Sequence, residues 1–231
     1  MSNKVLLIAC FVLATSGALS ASGASAASIA NGGFEADAAS VPANSVYYGA
    51  ITGWNNPGYL TSAGYYSATP PEGRIFALVG NGIDTVNYHM NQTINGLTPG
   101  RAYRVNFSLA SEDFVIPGVV EQVNVWMSSG SASASQIYSA PVSSNATPYG
   151  LGPLWDHWAA FSYNFVANAS SATLNFEQTA ATTGAGDTGL DKVSISAAVP
   201  EPDAWAMMLI GFGGLGAVMR RRRSHAAFAA A

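Results

Sequence analysis

The stretch VNYHMNQTINGLTPGRAYRVNFSL, residues 86–109, decides the fold class of this chain. In its first part every second residue is apolar or aromatic apart from one glutamine, namely Val86, Tyr88, Met90, Gln92 and Ile94. In its last part the same spacing gives Tyr103, Val105, Phe107 and Leu109. Polar residues alternate with both rows, and turn residues separate them at 95–100. A period of two predicts two strands that each bury one face, with a turn between them.

Other segments of the chain are also predicted to be strands. They are Gln122–Met127, Phe161–Val166, Ala172–Thr179 and Leu190–Ser196. Clusters of Gly, Pro, Asn and Ser separate these segments, and none of them has a strong helical period. We expect seven to nine strands, which predicts an all-β fold made of a single antiparallel β-sandwich. We assign residues 27–198 to this domain.

Residues 1–26 have the organisation of a signal peptide. Lys4 precedes an apolar run at 5–13, and Ala24-Ser25-Ala26 supplies the small residues of a cleavage site. The apolar run is too short to span a bilayer, so we expect a signal helix that is removed on export. Cys10 also ends a short lipobox-like sequence, but the apolar run continues past it. Since it is the only cysteine, the mature domain would have no disulfide.

The other end of the chain has the organisation of a membrane anchor. Pro200, Glu201 and Pro202 precede an apolar segment at 204–219, which predicts a transmembrane helix slightly shorter than the usual span of about 20 residues. The arginines that end this segment are expected to stay in the cytoplasm, which leaves the domain outside. These arginines are Arg220, Arg221, Arg222 and Arg223. The tail at 224–231 has no recognisable signal.

Residues 199–223 resemble the PEP-CTERM sorting signal, in the variant that reads PEP, two residues, then WAMM beginning at Trp205 and a glycine-rich GFG segment. The resemblance implies processing by an exosortase, a membrane transpeptidase. The protein would be held at the inner membrane before processing and would then reach the cell surface or be released. The alternative is a simple single-pass anchor in which the PEP sequence is a coincidence.

The domain at 27–198 is strongly acidic. It has four basic and eleven acidic residues, which give a net charge of −7. Nucleic acids and anionic membrane surfaces attract basic proteins, so this charge argues against both as partners. The same charge suits a well-solvated exterior and the binding of divalent cations.

Short motifs along the domain resemble the galactose-binding-like jelly rolls, which include carbohydrate-binding modules and DUF642-like domains. The motifs are residues 29–35 (IANGGFE), Gly53-Trp54, residues 92–103 and residues 189–195 (GLDKVSI). The resemblance implies a jelly-roll sandwich with one structural calcium ion. Glu35 of the first motif and Asp191 of the last would hold this ion.

Catalytic signals are weak in the domain. His89 and His157 are its only histidines, and His89 falls on the polar side of its strand. Glu112 and Asp113 are adjacent, so they would point to opposite faces of an extended chain. We therefore expect no enzymatic activity. A glycosidase pair of carboxylates formed across the fold stays open as the alternative.

Aromatic residues are the best candidates for ligand binding, because flat rings on the exterior can stack on sugars. We select Tyr65, Tyr66, Trp126 and Trp158, with the neighbouring Tyr47, Tyr48, Tyr59 and Trp155 as further possibilities. Trp54 is expected in the core. The sequence thus predicts a non-catalytic surface or matrix protein that binds exopolysaccharide or another glycan. An extracellular polysaccharide hydrolase is the second class.

Overall fold

The computed structural model describes residues 26–55, 59–80, 89–112, 121–131, 133–141, 154–179, 186–198 and 209–214. Within these ranges the strands are β1 (Val46–Tyr47), β2 (Tyr59–Ser62), β3 (Ile75–Val79), β4 (His89–Asn95), β5 (Ala102–Ala110), β6 (Gln122–Ser129), β7 (Gln136–Ser139), β8 (Ala159–Val166), β9 (Ser171–Thr179) and β10 (Thr188–Ala197). Two short 3-10 helices span Glu35–Asp37 and Tyr65–Ser67. The described strands thus exceed the seven to nine expected.

The strands form two antiparallel sheets that pack face to face. One sheet has six strands in the order β1-β2-β3-β10-β5-β8, and the other has four in the order β4-β9-β6-β7. The main core lies between them, where Phe107 of β5 and Phe176 of β9 place their ring centroids 5.2 Å apart. This architecture confirms the predicted antiparallel β-sandwich.

The two strands of the stretch at 86–109 bury the rows that the sequence predicts. Met90 and Ile94 of β4 are buried, and so are Val105 and Phe107 of β5. The part of the stretch before His89 lies outside the described residues. β4 and β5 are not paired with each other, because β4 belongs to the four-stranded sheet and β5 to the six-stranded sheet. The turn between them therefore carries the chain from one sheet to the other.

Gln92 is the one polar residue in the inward-facing row of β4, and it is only 5% exposed. Its Oε1 accepts a hydrogen bond from the backbone N–H of Ala30 at 2.7 Å. Its Nε2 donates to the carbonyl oxygens of Ala30 at 2.9 Å and of Gly53 at 2.6 Å. Because the polar groups of a buried side chain are costly to leave without partners, these three hydrogen bonds tie β4 to the segments at Ala30 and Gly53.

The opening motif folds around Asn31. Its amide donates to Oδ2 of Asp37 and to the carbonyl oxygen of Thr52, both at 2.9 Å, and Asp37 in turn accepts from the backbone and hydroxyl of Thr52. Gly32 is required by a close approach to β10. A Cβ at this position would lie 1.8 Å from the carbonyl oxygen of Val193, whose N–H donates to Gly32 at 2.9 Å.

β3 is buried on both faces. Ile75, Ala77 and Val79 belong to the main core, whereas Phe76 and Leu78 face the other side of the six-stranded sheet. There they form what we call the outer cluster, made of Ala68, Phe76, Leu78, Ala110, Leu154 and Trp155. This strand is absent from the sequence-based prediction because its five apolar residues do not alternate with polar ones. An unbroken apolar run of this length is itself a signal for a strand buried on both faces.

The two predicted targeting segments lie almost entirely outside the described residues. Only residues 209–214 of the apolar segment are described, and they are helical and exposed. Among the described parts of the chain, no helix is both long enough and apolar enough to cross a membrane. The signal helix and the transmembrane helix therefore stay predictions.

Replacing Gln92 with Leu tests the role of this side chain. The variant removes all three hydrogen bonds of this buried side chain, so we expect a loss of about 1–3 kcal/mol in the free energy of unfolding. Urea denaturation followed by tryptophan fluorescence measures this loss. The control is Thr93→Val at the next, exposed position, which should change stability by less than about 0.5 kcal/mol. Equal effects of the two variants would contradict this role.

Candidate functional site

Four tyrosines form a surface on the outside of the six-stranded sheet. We call Tyr48, Tyr59, Tyr65 and Tyr66 the tyrosine surface. The ring centroids of Tyr48 and Tyr59 are 4.7 Å apart, and those of Tyr65 and Tyr66 are 4.6 Å apart. Burial raises the pKa of Tyr65, and the phenols of Tyr66 and Tyr48 raise it further. Because Tyr48 is close enough to affect Tyr65, the two pairs lie side by side. Tyr48 is 73% exposed and Tyr66 is 53% exposed.

Trp155 of the outer cluster supports this surface. The ring of Tyr65 stacks on Trp155 with the centroids 6.5 Å apart, and Trp155 packs edge-on against Phe76 at 5.7 Å. The indole N–H of Trp155 donates to the carbonyl oxygen of Asp187 at 2.8 Å, and its backbone N–H donates to Ser111 at 3.2 Å. Since Trp155 is fully buried and its polar groups are bonded, it is a rigid base.

Trp158 belongs to the same support. Its ring packs edge-on against Phe76 at 5.1 Å, and its indole N–H donates to the carbonyl oxygen of Trp155 at 2.8 Å. A Cβ on Gly189 would lie 2.8 Å from Trp158 and 3.0 Å from Trp155, so the missing side chain lets both indoles lie against the sheet. The partly buried Trp158 therefore contributes to the base beneath the tyrosines rather than to their exposed edge.

The backbone at this surface is strained. Tyr66, Ser67 and Trp155 have φ values of 46°, 63° and 49°. Residues other than glycine rarely adopt this left-handed region of backbone conformation. The two segments hold each other, because the N–H of Leu154 donates to the carbonyl oxygen of Tyr66 at 2.9 Å. Such strain is retained where the surroundings impose it, and it is concentrated at functional sites. Here it accompanies the exposed ring of Tyr66.

Two glutamates lie below this surface and form what we call the carboxyl pair, Glu112 and Glu121. Oε2 of Glu112 accepts the backbone N–H of Asp187 at 2.6 Å. Oε2 of Glu121 accepts the N–H of Glu112 at 3.2 Å and the hydroxyl of Thr188 at 3.3 Å. The two carboxyl groups also converge on Gly186, where a Cβ would lie 2.4 Å from Glu112 Oε2 and 3.0 Å from Glu121 Oε1.

Burial dominates the electrostatics of the carboxyl pair. Burial and the charge of Asp187 raise the pKa of Glu112 to about 7. Burial and the charge of Glu112 raise the pKa of Glu121 well above its usual value, and Glu121 is only 4% exposed. Within the described ranges, no basic side chain offsets these shifts. The pair therefore favours holding protons in the folded protein.

The two residues proposed for calcium also come close together. Asp191 is fully buried, with Oδ1 accepting the N–H of Lys192 at 2.7 Å and Oδ2 left without a partner. Burial raises the pKa of Asp191 to about 7, and the charges of Glu72 and Glu35 raise it further. Oε1 of Glu35 accepts the N–H groups of Arg74 at 2.6 Å and Ile75 at 2.8 Å.

The structure adds three details about this pair. Glu35 lies in a 3-10 helix, and Asp191 is the fourth residue of β10, which begins two residues before the predicted strand at Leu190. Glu72, which the sequence analysis did not select, is a third carboxylate beside them. In the part of the chain that is described, no three His, Cys, Asp or Glu side chains are already arranged as a metal site.

Trp126 lies on a separate surface. It faces outward from β6 on the four-stranded sheet, opposite to the buried Val123, Val125 and Met127, as the sequence predicts. The ring of His89 is 6.4 Å away, and Asn175 donates to the carbonyl oxygen of Trp126 at 3.3 Å. The four aromatic residues selected from the sequence thus do not form one site. Tyr65, Tyr66 and Trp158 share one outer face of the sandwich, and Trp126 lies on the other.

A family model for the PEP-CTERM protein-sorting motif matches residues 198–223. The chain carries a PEP-CTERM sorting motif. This match confirms the prediction made from Pro200, Glu201, Pro202 and the segment that follows. A PEP-CTERM motif implies an exported protein that is processed by an exosortase. A search of curated proteins found no match to the chain.

Several solved structures are similar in fold. The enzymatically active domain of tailspike protein 4 of bacteriophage CBA120 has 11% identity and a TM-score of 0.47, over 74% of this chain and 21% of that domain. A family 35 carbohydrate binding module from an environmental isolate has 13% identity and a TM-score of 0.43, over 67% and 93% of the two chains. TmCBM61, in complex with β-1,4-galactotriose, has 13% identity and a TM-score of 0.40, over 73% and 96%.

The raised pKa values of Glu112, Glu121 and Asp191 predict how stability depends on pH. The folded protein binds more protons than the unfolded chain between the ordinary carboxyl pKa and about 7. This stabilisation is fully present below about pH 4.5 and is lost as the pH rises through about 7. Metal-free protein should therefore melt several degrees higher at pH 5 than at pH 8, as measured by circular dichroism.

Glu112→Gln tests whether ionisation of Glu112 contributes to this pH dependence, since glutamine cannot ionise. The variant should lose part of the difference in melting temperature between pH 5 and pH 8. Glu177→Gln, on the outer face of the four-stranded sheet, should keep the full difference. A wild-type protein that is more stable at pH 8 than at pH 5 would show that these groups are not held protonated.

Proposed function

We propose that this exported protein is a non-catalytic component of the cell surface or extracellular matrix that binds polysaccharide at the tyrosine surface. The observation that carries the proposal is the exposure of two rings, 73% for Tyr48 and 53% for Tyr66, beside Tyr59 and Tyr65, of which Tyr65 stacks on the rigid Trp155. Exposed rings on a fixed base lose little entropy on binding, which favours them as anchors.

Sugar rings have apolar C–H faces that stack on aromatic side chains and hydroxyl groups that need hydrogen-bond partners. The tyrosine surface has both kinds of group. The phenol hydroxyls can donate and accept hydrogen bonds. The open position of Tyr48 and Tyr66 suits a long polymer better than a small molecule, which is usually enclosed in a cleft.

The geometry of the carboxyl pair favours binding over hydrolysis. Glycosidases need two carboxyl groups on opposite sides of the scissile bond, about 5–10 Å apart, with room for the sugar between them. Glu112 and Glu121 instead converge on one glycine, and Glu121 is almost fully buried. Incubation of the protein with a polysaccharide that it binds tests this directly. Release of reducing ends would favour the alternative function, an extracellular polysaccharide hydrolase.

Single substitutions test the position of the site. Tyr66→Ala should weaken binding about two- to tenfold, because an aromatic contact is worth about 0.5–1.5 kcal/mol. Tyr48→Ala should act in the same direction, and Trp126→Ala on the opposite face should have no effect. A glycan array identifies the ligand, and isothermal titration calorimetry then measures each variant. Loss of binding in Trp126→Ala alone would move the site to the four-stranded sheet.

We also propose that one structural calcium ion binds between Glu35 and Asp191, with Glu72 as a third carboxylate. The unpartnered Oδ2 of Asp191 and the repulsion among the three carboxylates fit an oxygen-liganded cation. When bound, calcium would neutralise these charges and link the opening segment to β10.

Chelation tests this site directly. Calcium at a hundred times its Kd would add about 2.7 kcal/mol to the free energy of unfolding. A chelator should therefore lower the melting temperature of the wild type by several degrees. It should have no further effect on Asp191→Asn, whereas the control Glu177→Gln should respond like the wild type. A calcium-loaded wild type that melts at the same temperature with and without chelator would rule the site out.

The sorting motif leads to a last proposal about processing. We propose that residues 204–219 hold the protein at the inner membrane until an exosortase removes the end of the chain. Intact-mass spectrometry of surface or secreted material should find a first residue near Ala27 and no Arg220 to Arg223. A variant in which Pro200, Glu201 and Pro202 are all alanine should keep the arginines. Their presence in the exported wild type would contradict exosortase processing.

A further inference from the structure

The ligand class can be narrowed from the charges that surround the tyrosine surface. Tyr65 stacks on Trp155, and Trp155 is bonded through its backbone N–H to Ser111 and through its indole N–H to Asp187. These bonds attach the tyrosine surface directly to the segments that contain the carboxyl pair and Asp187. Glu112 follows Ser111 in the chain, and its Oε2 accepts the N–H of Asp187.

The ionisable groups that face Glu112 are therefore acids or phenols from three different elements. They are Glu121 just before β6, Asp187 just before β10 and Tyr65 of the second 3-10 helix. Asp156 adds a carboxylate next to Trp155, with one oxygen unpartnered. A ligand over Tyr65 and Tyr66 thus lies in a locally negative environment.

The arginines and the lysine of the domain are engaged or located elsewhere. The guanidinium of Arg74 donates to the carbonyl oxygens of Ala38 and Val41. Arg101 lies over the ring of Tyr103, Arg104 donates to Asn164, and Lys192 is exposed beside Asp191. None of these contacts involves the tyrosine surface, so none of these four side chains is placed to pair with an anionic sugar there. His157 is exposed and follows Asp156 in the chain, so it is a further basic side chain close to Trp155 and Trp158.

We infer that the tyrosine surface selects neutral polysaccharides and rejects chains that carry carboxylate or sulfate groups. This inference rests on the proposed function and specifies its ligand class. Like charges separated by less than the Debye length of about 8 Å repel appreciably at physiological salt. Stacking and hydroxyl contacts are unaffected by this repulsion, so neutral chains retain their affinity.

The selection should depend on pH, because the carboxyl pair holds protons at acidic pH. With the pKa of Glu112 at about 7, this group is neutral at pH 5.5 and mostly ionised at pH 8. The rejection of anionic chains should therefore be weak at pH 5.5 and strong at pH 8. Neutral chains serve as the internal reference, since they have no charge for Glu112 to repel.

Affinity gel electrophoresis of the purified protein tests this inference with matched polysaccharides. The probes are dextran, pullulan, amylose and galactan, each beside its own carboxymethylated form, at pH 5.5 and pH 8. We expect at least tenfold preference for the neutral form at pH 8 and a several-fold smaller preference at pH 5.5. Glu112→Gln should reduce the preference at pH 8 to near its pH 5.5 value. Asp156→Asn provides a second, independent variant with an effect in the same direction, and Glu177→Gln is the control.

The outcomes separate this inference from the proposed function. If the protein binds neutral and carboxymethylated forms equally at pH 8, or binds the carboxymethylated form more tightly, the selection is overturned while glycan binding stands. If neither form of any probe is retained at either pH, and the glycan array is also negative, the proposed function fails and this inference fails with it.

Discussion

The outer face of the six-stranded sheet must be covered, and much of the structure depends on this constraint. β3 and the first four residues of β10 are buried on both faces, so one sheet cannot satisfy them by packing against the other alone. Phe76 and Leu78 would otherwise expose a continuous apolar patch to water. Trp155 and its neighbours in the outer cluster remove that patch, as a second layer laid over the sandwich.

This second layer connects stability to function. Trp155 is held in place by contacts with Phe76, Ser111 and Asp187, so the residues that pack on it are also fixed in position. Tyr65 is stacked on that base, and the exposed ring of Tyr66 follows it on a strained backbone. Glu112 is close enough to raise the pKa of Tyr65. A requirement of packing has thus produced an exposed aromatic surface with acidic groups close to it.

The sequence predicts the strands that bury a single face, because a period of two reports one-sided burial. It predicts β4, β5 and the outward direction of Trp126 for this reason. It misses β3, whose run of apolar residues has no alternation, and β1, β2 and β7, which have four residues or fewer. The separation of Trp126 from Tyr66 depends on which sheet each strand joins, and local pattern does not contain that information. The sorting motif, in contrast, is read from consecutive residues and needs no fold.

The central claim is that the sandwich presents the tyrosine surface to a polysaccharide chain. Nuclear magnetic resonance of protein with labelled tyrosine rings and tryptophan indoles tests it most directly, by titration with a neutral oligosaccharide that the protein binds. The ring signals of Tyr48 and Tyr66 should shift in a saturable way while the indole N–H signal of Trp126 stays unchanged. Saturable shifts at Trp126 and His89, with the tyrosine rings unaffected, would contradict it.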